Sequence, residues 1–155
     1  MTESPADALT LLILEVFRVN GGLIAAGDRL VADLGLTSAR WQVLGAVALS
    51  PMPLPVAHIA RNMGLTRQAV QRLANEMERD GLVRFGPNPH HQRARLVMLT
   101  ARGRTAYDAA MTRQGPWANR LASGLSVRQI GAATAMLRAI RERLEGPPER
   151  EDDND

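Results

Sequence analysis

The chain has 155 residues, 45% of them apolar, and a formal net charge of +3, which is the size and composition of one globular domain. It contains no cysteine, which excludes disulfides, thiolate zinc sites and cysteine-based peroxide sensing. No apolar run is expected to approach the roughly 20 residues of a membrane span, and the N-terminus lacks the basic start of a signal peptide, so we predict a cytoplasmic protein.

The positive charge is concentrated in one part of the chain. All 19 basic residues are arginines, and nine of them lie in the window 57–104 against three acids. The end of the chain carries the opposite charge, since residues 149–155 hold five acids and one arginine. Such a basic window favours an anionic partner, although any single arginine can equally belong to a solvated surface.

The N-terminal part is predicted to be an apolar helix over residues 8–32. Apolar positions such as Leu12 and Val16 follow helical spacing, and they cover more than half of the circumference. Burial against a second copy of the chain is therefore expected. Gly21 and Gly22 indicate a kink or a close packing contact in this helix.

A second helix is predicted over residues 36–50, with Thr37 or Ser38 as its N-cap. The proline-rich residues 51–55 end it. Pro55 is expected in the first turn of the next helix, where its missing backbone donor costs nothing.

Two short helices follow, over residues 56–63 and 67–80. Gly64 lies in the turn between them, Thr66 is the expected N-cap of the second helix, and Gly81 is its stop. Two helices joined by a short glycine-containing turn are typical of a helix-turn-helix.

The next segment changes to a β pattern. Residues 82–85 and 95–99 are β-prone and are separated by a basic, turn-rich loop, so a hairpin is predicted. Thr100 is expected to cap a helix that Pro116 kinks or interrupts, because proline cannot donate a backbone hydrogen bond. The final helix is predicted to start with a capping box at Ser126.

The outer face of helix 67–80 carries side chains suited to reading DNA bases. An α-helix fits the major groove, where arginine matches the two acceptors of guanine and glutamine or asparagine matches adenine. The free backbone N–H groups of the first turn are suited to a phosphate. The predicted DNA-binding residues of this recognition helix are Thr66, Arg67, Gln68, Gln71, Arg72 and Asn75.

An exposed polar face is usually only solvated, so this face alone is a weak indication. A helix-turn-helix followed at once by a basic β-loop, however, is the order of a winged helix, whose loop can reach the neighbouring minor groove. The wing residues predicted to bind DNA are His90, His91, Arg93 and Arg95.

With these motifs the sequence resembles the MarR (multiple antibiotic resistance regulator) family of bacterial transcription factors, over roughly residues 8–145. The most specific pieces are GLTRQAVQRLANEMERDGLV (64–83) and RLVMLTARGR (95–104), at the expected separation. The resemblance implies a dimeric winged helix that binds a palindromic site in double-stranded DNA. It also implies frequent control by a small molecule, bound between the dimer helices and the DNA-binding lobe.

One position departs from the pattern of the family. The wing of the family usually carries Asp-x-Arg, and here the arginine maps to Arg93 while His91 holds the place of the aspartate. Arg93 is therefore expected to be less constrained. Because His90 and His91 can gain charge on mild acidification, pH-dependent DNA binding is a hypothesis, which a flat affinity between about pH 5.5 and 8 would discard. The loop offers no acidic or thiol co-ligand, so no metal is predicted.

The predicted fold is mainly α (α+β), a winged helix-turn-helix within a single domain over residues 1–145. Dimerisation helices are expected over 8–35 and 105–145, and the DNA-binding lobe over 36–104. Residues 146–155 are expected to form a disordered acidic tail.

The predicted function is sequence-specific binding of double-stranded DNA by a homodimeric transcriptional repressor that a small-molecule ligand releases. The alternatives are a winged-helix protein-interaction module and a non-specific DNA-binding protein. Neither catalysis nor a cofactor is expected, since no catalytic spacing, phosphate loop or metal cluster is visible. Phe17, Arg18, Arg40 and Trp41 lie in segments that flank the family's ligand pocket. An aromatic core with surface arginines is the stronger interpretation of these four, so ligand-binding residues stay unassigned.

Overall fold

The computed structural model describes residues 4–146, so all of the predicted acidic tail except Gly146 lies outside the described residues. Backbone contacts divide the chain into two compact units, Met1–Gly115 and Pro116–Asp155. The elements of the described part are α1 (Pro5–Val31), a 3-10 helix (Ala32–Leu34), α2 (Ser38–Leu49), β1 (Leu54–Pro55), α3 (Val56–Met63), α4 (Arg67–Arg79), β2 (Val83–Gly86), β3 (Leu96–Leu99), α5 (Ala101–Leu121) and α6 (Val127–Glu145). The predicted mainly helical fold with one small sheet is confirmed.

The three strands form an antiparallel sheet in the order β1-β3-β2. β2 and β3 are the predicted hairpin, in which Val83 pairs with Leu99 and Gly86 with Leu96. β1 adds Leu54 opposite Val97 on the other edge of β3. Pro55 therefore lies in an edge strand and at the N-cap of α3, so its predicted place in the first helical turn is wrong.

The core of the first unit lies between α2, α3, α4 and the sheet. Its largest fully buried side chains are Leu44, Ile59, Met77, Val31, Val43, Val70, Val83 and Val97. These residues come from α1, α2, α3, α4, β2 and β3, so packing fixes the position of α4 against its neighbours.

Several predicted helix caps are confirmed. Thr37 caps α2 by accepting a hydrogen bond from the Arg40 amide, and Thr66 caps α4 by accepting one from the Ala69 amide. Ser126 begins α6 with the predicted capping box. These side chains satisfy backbone donors that a helix start leaves free.

α5 continues through Pro116 to Leu121, so the predicted interruption there is wrong. Proline fixes φ at a value compatible with a helix, so the helix can continue past it although one backbone hydrogen bond is lost.

The close packing predicted for α1 occurs at a different glycine. No atom lies within 4 Å of the Cβ position of Gly21 or Gly22, and α1 is not interrupted there. At Gly27, by contrast, a Cβ would lie 2.3 Å from the Ser38 hydroxyl, which donates to the Ile24 carbonyl at 2.7 Å. α1 therefore meets α2 near its C-terminal end, where the small residue permits the approach.

Most of α1 is apolar and exposed. The segment Pro5–Leu34 has a mean hydropathy of 1.7 over its best 18-residue window, none of which is buried. By length and composition it could therefore cross a membrane, so the expectation that no apolar run approaches a span is wrong. Since buried helices of soluble proteins meet the same criterion, this is a weak indication of a membrane.

Candidate nucleic-acid interface

α4 is held by its inner face and presents its outer face to solvent. Val70, Ala74 and Met77 are buried in the core, at spacings of three and four residues that place them on one side of the helix. Gly64, at φ 65°, makes the turn from α3. The apolar side of α4 thus orients the whole helix, and its polar side is left available.

The predicted recognition residues all lie on that exposed side. The side chains of Arg67, Gln68 and Arg72 make no hydrogen bond or ion pair with any other described residue, and Gln71 donates to Asn75 at 2.9 Å. The last contact joins two neighbours one helical turn apart and restricts their rotamers. Three donor-rich side chains therefore remain free to contact a ligand, beside one pre-ordered amide pair.

Two polar contacts fix the C-terminal end of α4. Arg40 of α2 forms an ion pair with Asp80 at 2.7 Å, and its side chain is largely buried. The Glu78 carboxylate accepts a hydrogen bond from the Phe85 amide at 2.9 Å, which joins α4 to β2. These contacts tie the recognition helix to both α2 and the hairpin.

The loop between β2 and β3, which we call the wing (residues 87–95), is held by its own hydrogen bonds. The Asn88 side chain donates to the Ala94 carbonyl at 2.9 Å and accepts from the His90 amide at 3.0 Å. The Ala94 amide donates to the His91 carbonyl at 3.1 Å. These hydrogen bonds close the loop on itself.

The two wing arginines differ in how they are held. The Arg95 guanidinium lies 5.1 Å from the centroid of the Phe85 ring, in cation–π geometry that orients the side chain. Arg93 is exposed and makes no hydrogen bond or ion pair with another described residue. The freedom expected for Arg93, from histidine in place of aspartate at position 91, agrees with this arrangement.

The wing and α4 border a cleft of about 720 Å³, which we call the recognition cleft. Six of the ten predicted DNA-binding residues line it: Arg67, Gln71, Asn75, His91, Arg93 and Arg95. Helix and wing thus bring three arginines and an amide pair to one concave surface. Donors of this kind suit an anionic, hydrogen-bonding partner.

The other four predicted residues lie outside the recognition cleft. Gln68 and Arg72 are exposed on α4, Thr66 is engaged as the N-cap, and His90 borders a separate groove. Sequence reasoning missed Gln92, which lines the cleft between the predicted wing residues. Its place within a short basic loop was the available signal.

The four residues that the resemblance brought into question as pocket neighbours have different environments. Trp41 packs against the core, and Arg40 is engaged by Asp80. Arg18 is exposed and pairs with Glu15 at 2.5 Å. Phe17 is 68% exposed, so its interpretation as a core residue is wrong.

The comparisons with known proteins agree with this architecture. A family model described as "MarR family" matches residues 34–94, which include the helix-turn-helix and most of the wing. An uncharacterized protein of Mycobacterium tuberculosis is 36% identical over 135 residues, which cover 87% of this chain and 93% of that protein. The chain belongs to the MarR family.

One named relative and one solved structure similar to this chain are transcriptional regulators. The transcriptional activatory protein BadR of Rhodopseudomonas palustris is 33% identical over 113 residues, 69% of this chain and 65% of BadR. The crystal structure of the M. tuberculosis transcriptional regulator MosR in complex with DNA is 25% identical with a TM-score of 0.66, over 84% of this chain and 98% of that chain. This MarR-family protein is a DNA-binding transcriptional regulator.

Proposed function

We propose that this protein is a homodimeric, sequence-specific regulator that binds a palindromic site in double-stranded DNA and acts as a repressor released by a small molecule. The observation that carries the proposal is the free arginine and amide face of α4 beside a basic wing. In such an arrangement the helix reads base edges in the major groove, and the wing reaches the adjacent minor groove. The proposed regulator is a cytoplasmic protein without catalytic activity.

The residues have distinct proposed roles. Arg72 and Gln68, near the N-terminal half of α4, contact bases. Arg67, Gln71 and Asn75 do so from the side that faces the wing, and Thr66 with the first-turn amides holds a phosphate. The wing residues His90, His91, Arg93 and Arg95 contribute contacts to the DNA backbone and the minor groove.

The first test is a fluorescence-anisotropy titration of the full chain with the DNA that flanks its own gene, beside a scrambled duplex, at several salt concentrations. A preference of about a thousandfold or more for the native duplex is expected. Equal affinities with a steep salt dependence would mean backbone contacts alone, that is, the non-specific alternative. Absence of binding at low salt would favour the protein-interaction alternative.

Two substitutions separate base reading from phosphate contact. Arg72→Ala is expected to lose about 10- to 100-fold in affinity for the native duplex while leaving the scrambled duplex much less affected. Arg104→Ala, at an exposed position of α5, is expected to weaken both duplexes equally and to reduce the salt slope by about 1. Arg138 is exposed on α6, outside the proposed DNA-binding surface, so Arg138→Ala is the matched control and should leave the affinity for both duplexes unchanged. Equal losses on both duplexes from Arg72→Ala would remove it from the reading surface.

The exposed apolar surfaces of the terminal helices support the homodimer. α1 exposes Leu11 and Phe17, and α6 exposes Val127 and Leu144. Monomers rarely leave apolar patches of this extent uncovered, because their hydration is unfavourable.

Sedimentation in buffer without detergent tests the homodimer against a membrane location. About twice the chain mass of 16.9 kDa is expected. A monomer that associates with lipid vesicles would instead support the membrane as the partner of α1.

Whether the protein represses or activates depends on where its site lies relative to a promoter. BadR is described as an activatory protein, which is the direction opposite to repression. A reporter gene behind the native duplex decides it. Expression that rises when the regulator is deleted supports repression, and expression that falls supports activation.

A further inference from the structure

The pairing register of the hairpin brings Arg95 to the ring of Phe85. Phe85 of β2 lies opposite Val97 of β3, and Arg95 stands two residues before Val97, directly ahead of the strand. Arg95 is therefore the diagonal neighbour of Phe85 across the pair, a spacing that long and aromatic side chains can bridge. Its guanidinium lies 5.1 Å from the ring centroid, and its Nη2 group donates a long hydrogen bond to the Phe85 carbonyl at 3.5 Å.

Phe85 is held from two sides, so its ring is a fixed platform. Its side chain is half-buried and packs against the hydrophobic core. Its backbone amide, on the edge strand β2, donates to the Glu78 carboxylate of α4 at 2.9 Å. Because Phe85 is tied both to the core and to the recognition helix, a guanidinium stacked on its ring takes a defined position relative to α4.

Arg95 and Arg93 differ in how much freedom they bring to the recognition cleft. Both border it together with Arg67. Arg93 is exposed and makes no hydrogen bond or ion pair with another described residue, so a contact with DNA must immobilise it, which lowers the affinity by about 2- to 10-fold for such a side chain. Arg95 has already lost much of this freedom. Stacking occupies the face of its guanidinium and leaves most of the N–H donors directed outward in the plane.

We propose that Arg95 is the wing residue that contributes to sequence preference, that Phe85 is its positioning residue, and that Arg93 contributes only general affinity. A guanidinium at a fixed place responds to the width of the minor groove and to its sequence-dependent potential. A freely moving guanidinium follows the phosphates of any duplex. The inference rests on the proposed function, because it requires specific binding of DNA.

The positioning of Arg95 is tested without DNA, by NMR of the full-length protein. Protons above an aromatic ring are shielded, so the Hδ and Hε signals of Arg95 are expected upfield of those of Arg93, and Nε relaxation should show Arg95 to be the more ordered. Phe85→Tyr keeps the ring and should retain both properties. Phe85→Leu keeps an apolar side chain against the core and should lose both. Equal shifts and equal order of the two arginines in the wild type would overturn the positioning.

Fluorescence anisotropy with the native and the scrambled duplex tests the role of Arg95 in binding. Arg95→Gln, at an exposed position, is expected to weaken the native duplex by about 3- to 10-fold more than the scrambled one. Arg93→Gln should weaken both by the same factor. Arg138→Gln, exposed on α6, is the matched control and should leave both affinities unchanged. Equal loss of preference from Arg95→Gln and Arg93→Gln would overturn the division between the two arginines.

Phe85→Leu in two backgrounds separates positioning from a general structural role. Alone, it should weaken the native duplex by about 2- to 10-fold, and Phe85→Tyr should restore the affinity. Combined with Arg95→Gln it should cause no further loss, whereas combined with Arg93→Gln its full loss should remain. The same loss in both backgrounds would mean that Phe85 only supports the fold, and would overturn the proposal. If Phe85→Leu does not fold, the comparison of the two exposed arginines still decides.

Failure of the proposed function gives a different pattern of results. A wild type without preference for the native duplex would overturn the proposed function and the role of Arg95 in it, while the shielding would still decide whether Phe85 positions Arg95. A wild type that prefers the native duplex and shows the shielding, but whose preference survives Arg95→Gln, would leave the proposed function standing and overturn the role of Arg95.

Discussion

The contact between α5 and the hairpin can be tested at a single atom. Gly103 is buried in the first turns of α5, and a Cβ added there would lie 1.9 Å from the Leu82 carbonyl oxygen. That oxygen is backbone, so no flexible side chain can move aside. It also accepts a hydrogen bond from the Thr100 amide at 3.2 Å and lies 3.1 Å from the Thr100 hydroxyl, whose nearer acceptor is the Gly81 carbonyl at 2.6 Å. Alanine at position 103 must therefore separate α5 from the start of β2.

The size of the effect follows from opposing contributions. A real Cβ essentially never approaches an atom closer than 3.0 Å, so the backbone has to move by about 1 Å. Overpacking of this kind costs about 1–3 kcal/mol, and the strained Thr100 hydrogen bonds add about 1 kcal/mol. Alanine regains about 1 kcal/mol through its helix propensity. We expect Gly103→Ala to lower the free energy of unfolding by about 2 kcal/mol, which corresponds to a Tm lower by about 4–8 °C for a chain of this size.

Gly22→Ala is the matched control for this substitution. Gly22 lies inside α1, and no atom lies within 4 Å of its Cβ position. Only the higher helix propensity of alanine applies at this position, so the free energy of unfolding is expected to rise by about 0.5–1 kcal/mol. Urea unfolding of both variants, at one protein concentration because association shifts apparent stability, measures the difference. A Gly103→Ala protein as stable as Gly22→Ala would refute the close contact between α5 and Leu82.

Two further predictions concern capping and pH. Thr66→Ala should lower the free energy of unfolding by about 1 kcal/mol through loss of the α4 cap, whereas Thr10→Ala, which removes only a mid-helix hydroxyl, should change it by a few tenths; urea midpoints measure both. The hydrogen bond from Arg113 lowers the pKa of Asp33 in the folded state, so this pair stabilises the protein above the unfolded pKa of about 4, and the contribution is lost as the pH falls through the lowered folded value. The stability of the wild type should therefore exceed that of Arg113→Gln at neutral pH, and the gap should narrow below about pH 4. A constant gap from neutral pH to about pH 3 would show that Arg113 acts only through its bond to the Leu30 carbonyl.

The fold was predictable where local chemistry decides it. Threonine and serine caps and the glycine stop near position 81 act within one turn of chain, so their patterns mark the helices within a residue or two. The interruption expected at Pro116 does not occur, because a proline inside a helix can kink it instead of ending it, and no local pattern decides between the two; the kink stays a prediction. Pro55 was misjudged for a related reason, since its strand exists only through pairing with β3.

The candidate site was predictable in composition and less so in arrangement. Residue type and helical spacing gave the exposed face of α4, because its inner side is marked by Val70, Ala74 and Met77. Which of those side chains face the wing depends on the path of a loop closed by Asn88, a contact without a sequence signature. The shared position of His91 between two concave surfaces likewise follows only from the tertiary structure.

The division of labour on α4 explains how one short helix can be rigid and still available. Its anchoring comes from the buried inner face and from Asp80 and Glu78 at its C-terminal end, so none of it requires the arginines of the outer face. Among the side chains of the outer face, only Gln71 and Asn75 are hydrogen-bonded to each other within the described residues. This hydrogen bond uses one donor of Gln71 and one acceptor of Asn75. What remains is the Gln71 carbonyl with one amide hydrogen and the two amide hydrogens of Asn75, held at a fixed spacing. On the proposed function, this pair would meet DNA with its rotamers already restricted, whereas Arg67 and Arg72 would lose side-chain entropy on binding and gain charge-assisted hydrogen bonds in return.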